Sequence, residues 1–369
     1  MTAFSRTDNS LVANWWWTVD RPLLAVLGLL AATGLVFVFT ASPPVAELKN
    51  LNPWHFAVRQ SIFLGLAVVV LLTASLLAPL GVRRIGTFLF IVSLGLLALV
   101  PLIGVEVNGA VRWLNFGGLS LQPSEFVKPA LIIVTAHVLA SQEGLRALPQ
   151  AMLPVAVVTV LLLMQPDVGT ALLVLVVFAA MVFMAGLAWP WVVGMASASV
   201  GVLVLAYHSF GHVQSRIDGF LAADSGFQVE RAIQALTAGG WFGQGPGEGV
   251  IKNRLPDSHA DFIFAAGVEE FGLLIGIVVV LLFASIVLRA LILADRQPDR
   301  FAQLAAIGLI TQFGLQAAIN LGVNVAILPA KGMTLPFVSY GGSSLIALAL
   351  GCGMVLALLR RTPSIVVIR

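Results

Sequence analysis

The sequence predicts an all-α integral membrane protein, a polytopic bundle of about ten transmembrane helices with one large extracytoplasmic loop. Of its 369 residues, 59% are hydrophobic and only 10% are charged, whereas a soluble domain carries about 25% charged residues. Apolar runs of roughly 17–25 residues, long enough to cross the hydrocarbon core, recur along the chain. A soluble fold of this composition is excluded, because too little polar surface would remain to cover its core.

The apolar runs define the domain organisation. Residues 1–20 are polar and rich in tryptophan, without the short apolar segment and cleavage site of a signal peptide, so we predict a cytoplasmic N-terminal segment. The membrane domain then covers residues 21–361, and residues 362–369 form a cytoplasmic tail. The predicted spans lie near 23–41, 56–78, 85–103, 126–140, 148–164, 168–187, 191–208, 262–288, 302–325 and 343–359.

The basic residues predict the orientation. With ten spans and the N-terminus inside, the outer segments other than the long loop hold only Lys49, Arg112 and Lys331, and most arginines fall inside. Basic residues concentrate on the cytoplasmic side of membrane proteins, so both termini are predicted in the cytoplasm. The inside arginines are Arg6, Arg21, Arg83, Arg84, Arg146, Arg289, Arg296, Arg300, Arg360, Arg361 and Arg369.

The hydrophilic stretch 208–260 is then the large extracytoplasmic loop. Loops of this length are usually functional or disordered. Its segment GGWFGQGPGEGVIK, residues 239–252, lacks the GK[ST] ending of a phosphate loop. We interpret its glycines as tight turns in a re-entrant loop whose backbone approaches a substrate or the membrane.

Acidic residues cluster in LPDSHADFIFAAGVEEFG, residues 255–272. Asp261 lies where a helix is expected to begin, and it would cap that helix or serve as a functional acid. Glu269 and Glu270 lie about 12 Å deeper, where capping cannot explain them. Acids within a span are functional candidates, so this helix is predicted to line the floor of a cavity open to the outside.

A second group of charges lies in NGAVRWLNFGGLSLQPSEFVKPALII, residues 108–133. Glu125 and Lys128 are spaced i, i+3, which suits either an ordinary helical ion pair or a functional pair. Arg112 is close to them in sequence. Basic side chains beside a membrane surface suit a lipid phosphate or pyrophosphate.

Two further segments carry candidate residues at the outer face. In QPDVGTALL, Asp167 either caps the sixth span or adds an acid near Asp261. In LPAKGMTLPFVSYGGSS, Lys331 precedes the glycines and serines that open the last span, Ser343 among them. These small residues are either helix-start chemistry or a set of amides that could hold an anion.

Other site classes are disfavoured by the residue types and their spacing. The single cysteine, Cys352, excludes a disulfide framework within the chain. The five histidines lack the spacing of a transition-metal site, so no metal-ligand set is assigned. No GxSxG nucleophile motif occurs, and no nucleic-acid partner is expected.

Residues 20–361 resemble the shape, elongation, division and sporulation (SEDS) family of bacterial cell-wall polymerases. The resemblance is carried by NGAVRWLNFGGLSLQPSEFVKPA, by QPDVGTA, by FQVERAIQALTAGGWFGQGPGEGVIKNRLPDSHADFIFAAGVEEFG and by QAAINLGVNVAILPAKGMTLPFVSYGGSS. The N-terminal part and the PDSHADF region are more similar to the cell-division branch of that family than to its elongation branch.

The resemblance implies a peptidoglycan glycosyltransferase that polymerises lipid II at the outer membrane face, with a polyprenyl-pyrophosphate-linked glycan as donor. It places the catalytic acid at Asp261 and matches Arg112, Glu125, Lys128 and Asp167 to family motifs. Lys252 and Lys331 are added as candidates for stabilising the departing pyrophosphate. A divalent cation, Mg²⁺ or Mn²⁺, is expected to share that role. A class B penicillin-binding transpeptidase and other division proteins at the septum are the expected partners.

Two other functions remain open at this stage. A lipid II flippase would also place acids and bases within its spans. A non-catalytic scaffold of the division complex would leave those charges unexplained. Chain formation from lipid II in detergent, where there is no membrane to cross, separates the enzyme from both.

Overall fold

The computed structural model describes residues 10–107, 110–117, 119–142, 146–221, 226–329 and 332–360. Helices account for most of this part of the chain. They are α1 (Leu11–Thr18), α2 (Arg21–Ala41), α3 (Pro43–Leu48), α4 (His55–Ser75), α5 (Pro79–Ile103), α6 (Pro123–Ser141), α7 (Ala147–Met164), α8 (Val168–Met184), α9 (Trp189–Ser209), α10 (Gly211–Leu221), α11 (Gly226–Gly239), α12 (Ile263–Asp295), α13 (Arg300–Asn324) and α14 (Gly342–Leu358).

The predicted helical membrane bundle is confirmed. In the described residues, eight helices are long and apolar enough to cross a membrane, and α8 and α14 are shorter apolar helices. These ten helices coincide with the ten apolar runs of the sequence. The predicted outer loop contains α10, α11 and a 3-10 helix at Ile251–Arg254.

Helices α6 and α13 form the centre of the bundle. In each of them 67% of the most apolar stretch is buried, against 6% for the peripheral helix α9. Helix α13 packs against α6, α8, α12 and α14. Polar side chains on α6 and α13 are therefore shielded from lipid and can be paired within the protein.

Asp20 fixes the inner ends of two helices. Its carboxylate accepts a hydrogen bond from the amide of Leu23 in the first turn of α2 (2.9 Å). The same carboxylate binds the Arg289 guanidinium of α12 through two bonds, of 2.6 and 2.8 Å. This bidentate pair ties α2 to α12 on the side that the arginines assign to the cytoplasm.

A small antiparallel sheet between α5 and α6 was not predicted from the sequence. Its strands are β1 (Val105–Val107), β2 (Ala110–Phe116) and β3 (Leu119–Leu121), in that order. Leu114 pairs with Leu121 in the register of β2 and β3. A search for long apolar runs misses these strands, because β1 and β3 have three residues each and the seven-residue β2 is far shorter than a membrane span.

Helix α12 is interrupted at Gly272, whose φ of 85° lies outside the helical range. The break leaves the amides of Leu273 and Leu274 without their usual acceptors, and the carbonyls of Glu269 and Glu270 without their usual donors. The 240–245 segment satisfies all four groups. The bonds are Leu273 N to Gly240 O (2.9 Å), Leu274 N to Trp241 O (3.3 Å), Gln244 N to Glu269 O (2.9 Å) and Gly245 N to Glu270 O (3.0 Å).

The predicted glycine-rich turns are present, and their backbone approaches α12. A Cβ atom at Gly243, where φ is 81°, would collide with the backbone of Glu270 and Gly272. Only glycine permits both this backbone conformation and this close approach. The loop backbone and the helix backbone are joined at this point.

The part of α12 after the break is the lipid-facing span. At 1.5 Å per residue, the stretch from Leu273 to Arg289 is about 24 Å long, comparable with the hydrocarbon core. Leu273, Leu281 and Leu288 are 38%, 60% and 60% exposed on this stretch. Residues 263–270 are all buried inside the protein. The lipid-exposed part of α12 therefore begins near Gly272.

The topology can be tested by thiol labelling in a Cys352→Ser background, since the sequence has no other cysteine. We expect a cysteine at Glu230, in the outer segment, to react with a membrane-impermeant reagent in intact spheroplasts. A cysteine at Gln297, between α12 and α13, should react only after lysis, because the flanking arginines are predicted inside. Labelling of position 297 but not of 230 in intact spheroplasts would reverse the orientation.

Candidate functional site

Asp261 lies in the turn just before α12. The helix begins at Ile263 with Phe262 at its N-cap position, so of the two alternatives for Asp261 the structure does not support the N-cap, and the functional acid stays a prediction. Its backbone carbonyl accepts hydrogen bonds from the side-chain amides of Asn320 (2.9 Å) and Asn324 (3.0 Å). Asp261 is thus fixed through its backbone, and its carboxyl group is half-buried.

The carboxylate of Asp261 faces the 332–334 segment. A Cβ atom on Gly332 would lie 3.5 Å from Asp261 Oδ2. Asn320 also donates to the carbonyl of Met333 (2.6 Å). One asparagine of α13 therefore holds both walls of the space around the carboxylate.

A row of four amide side chains on α13 organises this site. Because they recur every four residues, they share one face of the helix. All four are at least 95% buried. Three of them lie in the segment QAAINLGVN of the sequence and had no predicted role, although amides at i, i+4 spacing in an apolar helix were a readable signal. They are Gln312, Gln316, Asn320 and Asn324.

Gln316 links this row to the predicted pair on α6. The Lys128 ammonium donates to Glu125 Oε1 (3.0 Å) and to Gln316 Oε1 (3.1 Å). Gln316 in turn donates to the carbonyl of Thr334 (3.1 Å). Glu125 and Lys128 are 8% and 3% exposed, so they form a buried pair within one network that extends to the Asp261 site.

Lys128 also borders a cavity between α6, α7, α8 and α13. The cavity is small, with about 20 Å³ of space for a water-sized molecule. Its walls are mainly aliphatic, and Thr135 and Gln312 supply polar atoms that have no hydrogen-bond partner within the protein. Lys128 therefore lines this cavity, while its ammonium group is bound to Glu125 and Gln316.

Arg112 and Asp167 meet at the outer end of α7. Arg112 donates to the carbonyls of Gln165 (3.3 Å) and Pro166 (2.5 Å). Its guanidinium lies 3.9 Å from the Asp167 carboxylate. Asp167 also caps α8 by accepting from the amide of Thr170 (3.4 Å), which confirms the capping interpretation. In this structure the two side chains join β2 to the α7–α8 turn.

Lys252, Glu269 and Glu270 form a separate buried cluster. They are 3%, 0% and 1% exposed, so the prediction that the two glutamates line the floor of an open cavity is wrong. The physical reason is the break at Gly272, which brings the outer loop down onto α12 and encloses the carboxylates. Lys252 pairs with Glu270 inside the protein.

The remaining predicted residues flank the last span. The hydroxyl of Ser343 donates to the carbonyl of Ser120 (3.2 Å) and accepts from the amide of Gln122 (3.3 Å), so it ties α14 to β3. Lys331 lies outside the described residues. Lys331 therefore stays a candidate from the sequence alone.

His259 packs in an aromatic cluster two residues before Asp261. Its ring lies 4.5 Å from that of Phe56 and 5.4 Å from that of Tyr340, measured between ring centroids. Burial lowers the pKa of His259 from 6.5 to about 4, with Lys49 acting in the same direction and Asp257 opposing it. The imidazole is therefore neutral at pH 7 and acts here as a packing group.

A pH dependence of stability follows from His259. In the unfolded chain the imidazole of residue 259 takes up a proton below about pH 6.5, whereas in the folded protein it does so only near pH 4. His259 therefore lowers the stability of the folded state as the pH falls through this window. Between pH 7 and pH 5 the loss is about 2 kcal/mol. We expect His259→Phe to remove this component, as measured by unfolding in detergent at both pH values. An unchanged pH dependence in the variant would contradict the assignment.

No metal site is evident in the described part of the chain, where no three His, Cys, Asp or Glu side chains lie together. The residues present do not form a ligand set by themselves, and the predicted divalent cation stays a prediction.

The FtsW/RodA/SpoVE family model, described as "Cell cycle protein", matches residues 20–363. A probable peptidoglycan glycosyltransferase FtsW from Caulobacter vibrioides is 42% identical over 98% of this chain and 94% of its own length. The corresponding protein of Allochromatium vinosum is 38% identical over 93% and 89% of the two chains.

Solved structures share the fold. One is a chain of a peptidoglycan synthase complex, described under "Structural coordination of polymerization and crosslinking by a peptidoglycan synthase complex". It superposes with a TM-score of 0.77 at 29% sequence identity, covering 93% of this chain and 98% of that chain. The rod shape determining protein RodA of Thermus thermophilus gives 0.69 at 31% identity, covering 93% and 97%. The chain therefore belongs to the FtsW/RodA/SpoVE family of membrane proteins.

Proposed function

We propose that this protein is a peptidoglycan glycosyltransferase that polymerises lipid II at the outer face of the cytoplasmic membrane during cell division. The observation that carries the proposal is the placement of Asp261. A half-buried carboxylate lies at the outer end of α12, with its backbone fixed by two asparagines of α13. The relatives named FtsW support the division role.

Asp261 is proposed as the general base. The acceptor hydroxyl of one lipid-linked sugar attacks the anomeric carbon of the donor, and the bond from that carbon to the polyprenyl pyrophosphate breaks. The hydroxyl proton passes to the Asp261 carboxylate. A single displacement inverts the anomeric configuration and needs no second carboxylate as nucleophile.

The leaving pyrophosphate needs positive charge close to it. Lys128 is the best supported candidate among the described residues, because it lies in the network that reaches Thr334 and also borders a cavity. Lys331 remains a candidate from the sequence. Arg112 is proposed to act indirectly, by fixing the α7–α8 turn, and a divalent cation would supply further charge if it binds.

The partner is proposed to be a class B penicillin-binding transpeptidase, because new glycan must be crosslinked. The structural relative described above comes from a peptidoglycan synthase complex, which supports a partner of this kind. Both termini in the cytoplasm and a location at the septum, together with other division proteins, are part of the same proposal.

The function is tested with purified protein and fluorescent lipid II in detergent, with and without the partner transpeptidase. We expect glycan chains, resolved as a ladder on a gel, because detergent removes any requirement for transport. Absence of chains in both conditions, together with transfer of lipid II across reconstituted vesicles, would favour a flippase. Absence of both polymerisation and lipid II transfer would favour a non-catalytic scaffold.

A further inference from the structure

The strongest group of buried charges outside the Asp261 site is the cluster of Lys252, Glu269 and Glu270. Glu269 directs both carboxylate oxygens at the loop. Its Oε1 accepts from the amide of Ile251 (2.6 Å) and its Oε2 from the amide of Lys252 (2.8 Å). These amides open the 3-10 helix at Ile251–Arg254, whose first donors have no partner within that helix.

Lys252 extends the attachment to a third element. Its ammonium group donates to Glu270 Oε1 and to the carbonyl of Thr40 near the end of α2 (2.9 Å). Ser258, further along the loop, donates to the neighbouring carbonyl of Ala41 (3.3 Å). The loop is therefore attached to the end of α2 and to α12 at the same time.

The loop that carries Asp261 is attached to α12 at both of its ends. At one end, Lys252 is held by Glu269 and Glu270 of α12. At the other end, the chain enters α12 at Ile263. The same helix thus clamps both ends, and Asp261 lies at the second one. A shift of the first end would move the approach to Asp261 relative to the asparagines of α13.

We infer that Lys252, Glu269 and Glu270 form a brace of positioning residues that holds Asp261 in its reactive place. This inference rests on the proposed function, since it needs Asp261 to be the reacting group. It also replaces the substrate-binding role that the sequence suggested for Lys252, because the ammonium group is enclosed between Glu270 and Thr40. The brace acts together with the backbone bonds between the 240–245 segment and the break in α12.

A charge-deletion series tests the brace. Lys252→Met or Glu270→Met leaves one buried charge without its partner, whereas the double variant removes both charges and keeps similar volumes. We expect each single change to lower kcat for lipid II polymerisation by about 100-fold, the scale of a 1 Å misplacement of a reacting group. KM should change little, and the double variant should regain most of the activity.

One outcome would overturn the brace: the double variant Lys252→Met, Glu270→Met has the unfolding temperature of wild type but is as inactive as Lys252→Met. That result would mean that the ammonium group acts on the substrate directly. The same comparison for Lys128 and Glu125, described in the Discussion, has the opposite expected result and provides the matched control.

A second measurement does not depend on polymerisation. Glu269→Gln presents an amide donor to one of the two loop amides, so one bond is lost. We expect faster hydrogen–deuterium exchange in peptides covering residues 250–262 and unchanged exchange in α13. Glu248→Gln, an exposed change in the same loop, is the control. Unchanged exchange in the 250–262 peptides of Glu269→Gln would refute the brace.

The two proposals fail in different ways. If Asp261→Asn polymerised normally, the general base would be wrong, yet the exchange experiment would still decide whether the loop is braced. If exchange were unchanged in Glu269→Gln while Asp261→Asn was inactive, the proposed function would stand and the brace would be wrong.

Discussion

Lys128→Met is expected to destabilise the protein strongly and to abolish polymerisation. The change leaves the Glu125 carboxylate buried with no ammonium group beside it, and Glu125 Oε2 already lacks a hydrogen-bond partner. Removing one member of a buried ion pair costs about 3–5 kcal/mol. Gln316 also loses its contact with Lys128, which loosens the connection to Thr334.

The matched double variant separates stability from chemistry. Glu125→Gln combined with Lys128→Met removes both charges, so we expect the unfolding temperature in detergent to return close to that of wild type. Polymerisation should stay about 100-fold below wild type, the scale for loss of one group that stabilises developing charge. Recovery of full activity in this variant would show that Lys128 is only structural.

Lys128 and Lys252 differ in their surroundings. Both are paired with a glutamate and both are 3% exposed. Lys128 borders a cavity and is connected through Gln316 to the segment beside Asp261, whereas Lys252 is enclosed between α2 and α12. From the sequence, both lysines were candidate ligands of the pyrophosphate, because the residues around Lys252 do not reveal that α12 breaks at Gly272.

The spans were predictable because the information is local. A stretch of apolar residues long enough to cross the hydrocarbon core is visible without knowledge of its neighbours. Asp167 illustrates the same point, since a cap involves only the first turn of its own helix. Asp261 was identified through its motif, but the structure showed that its backbone, held by α13, fixes its position.

The contacts that the sequence did not predict are long-range. Glu269 binds a loop that returns to α12 only because Gly272 interrupts the helical hydrogen bonds. Asn320 holds Asp261 and Met333 from a different helix. Side chains that meet through tertiary packing leave only a weak local signal. The recurrence of an amide side chain at every fourth residue of α13 was such a signal. It marked the face of α13 that contacts the Asp261 site.

Asp261→Asn is expected to abolish polymerisation while preserving the fold. The side chains have nearly the same shape, and the bonds from Asn320 and Asn324 go to the backbone carbonyl of residue 261, which the substitution keeps. An amide cannot take the hydroxyl proton. Loss of a general base lowers the rate by about 10²–10⁴-fold.

Asp257→Asn is the matched control, four residues earlier in the same loop. Residue 257 has a φ of 52°, a conformation that asparagine tolerates well. We expect this variant to polymerise lipid II at close to the wild-type rate. The unfolding temperatures of wild type and both variants in detergent should agree, so that a loss of activity reports on chemistry.

The most direct measurement is the initial rate of glycan synthesis from purified lipid II by wild type, Asp257→Asn and Asp261→Asn at equal concentrations of folded protein. The account predicts a ladder of glycan products from wild type and from Asp257→Asn, and none above background from Asp261→Asn. Glycan synthesis by folded Asp261→Asn at the wild-type rate would contradict the assignment of Asp261 as the general base.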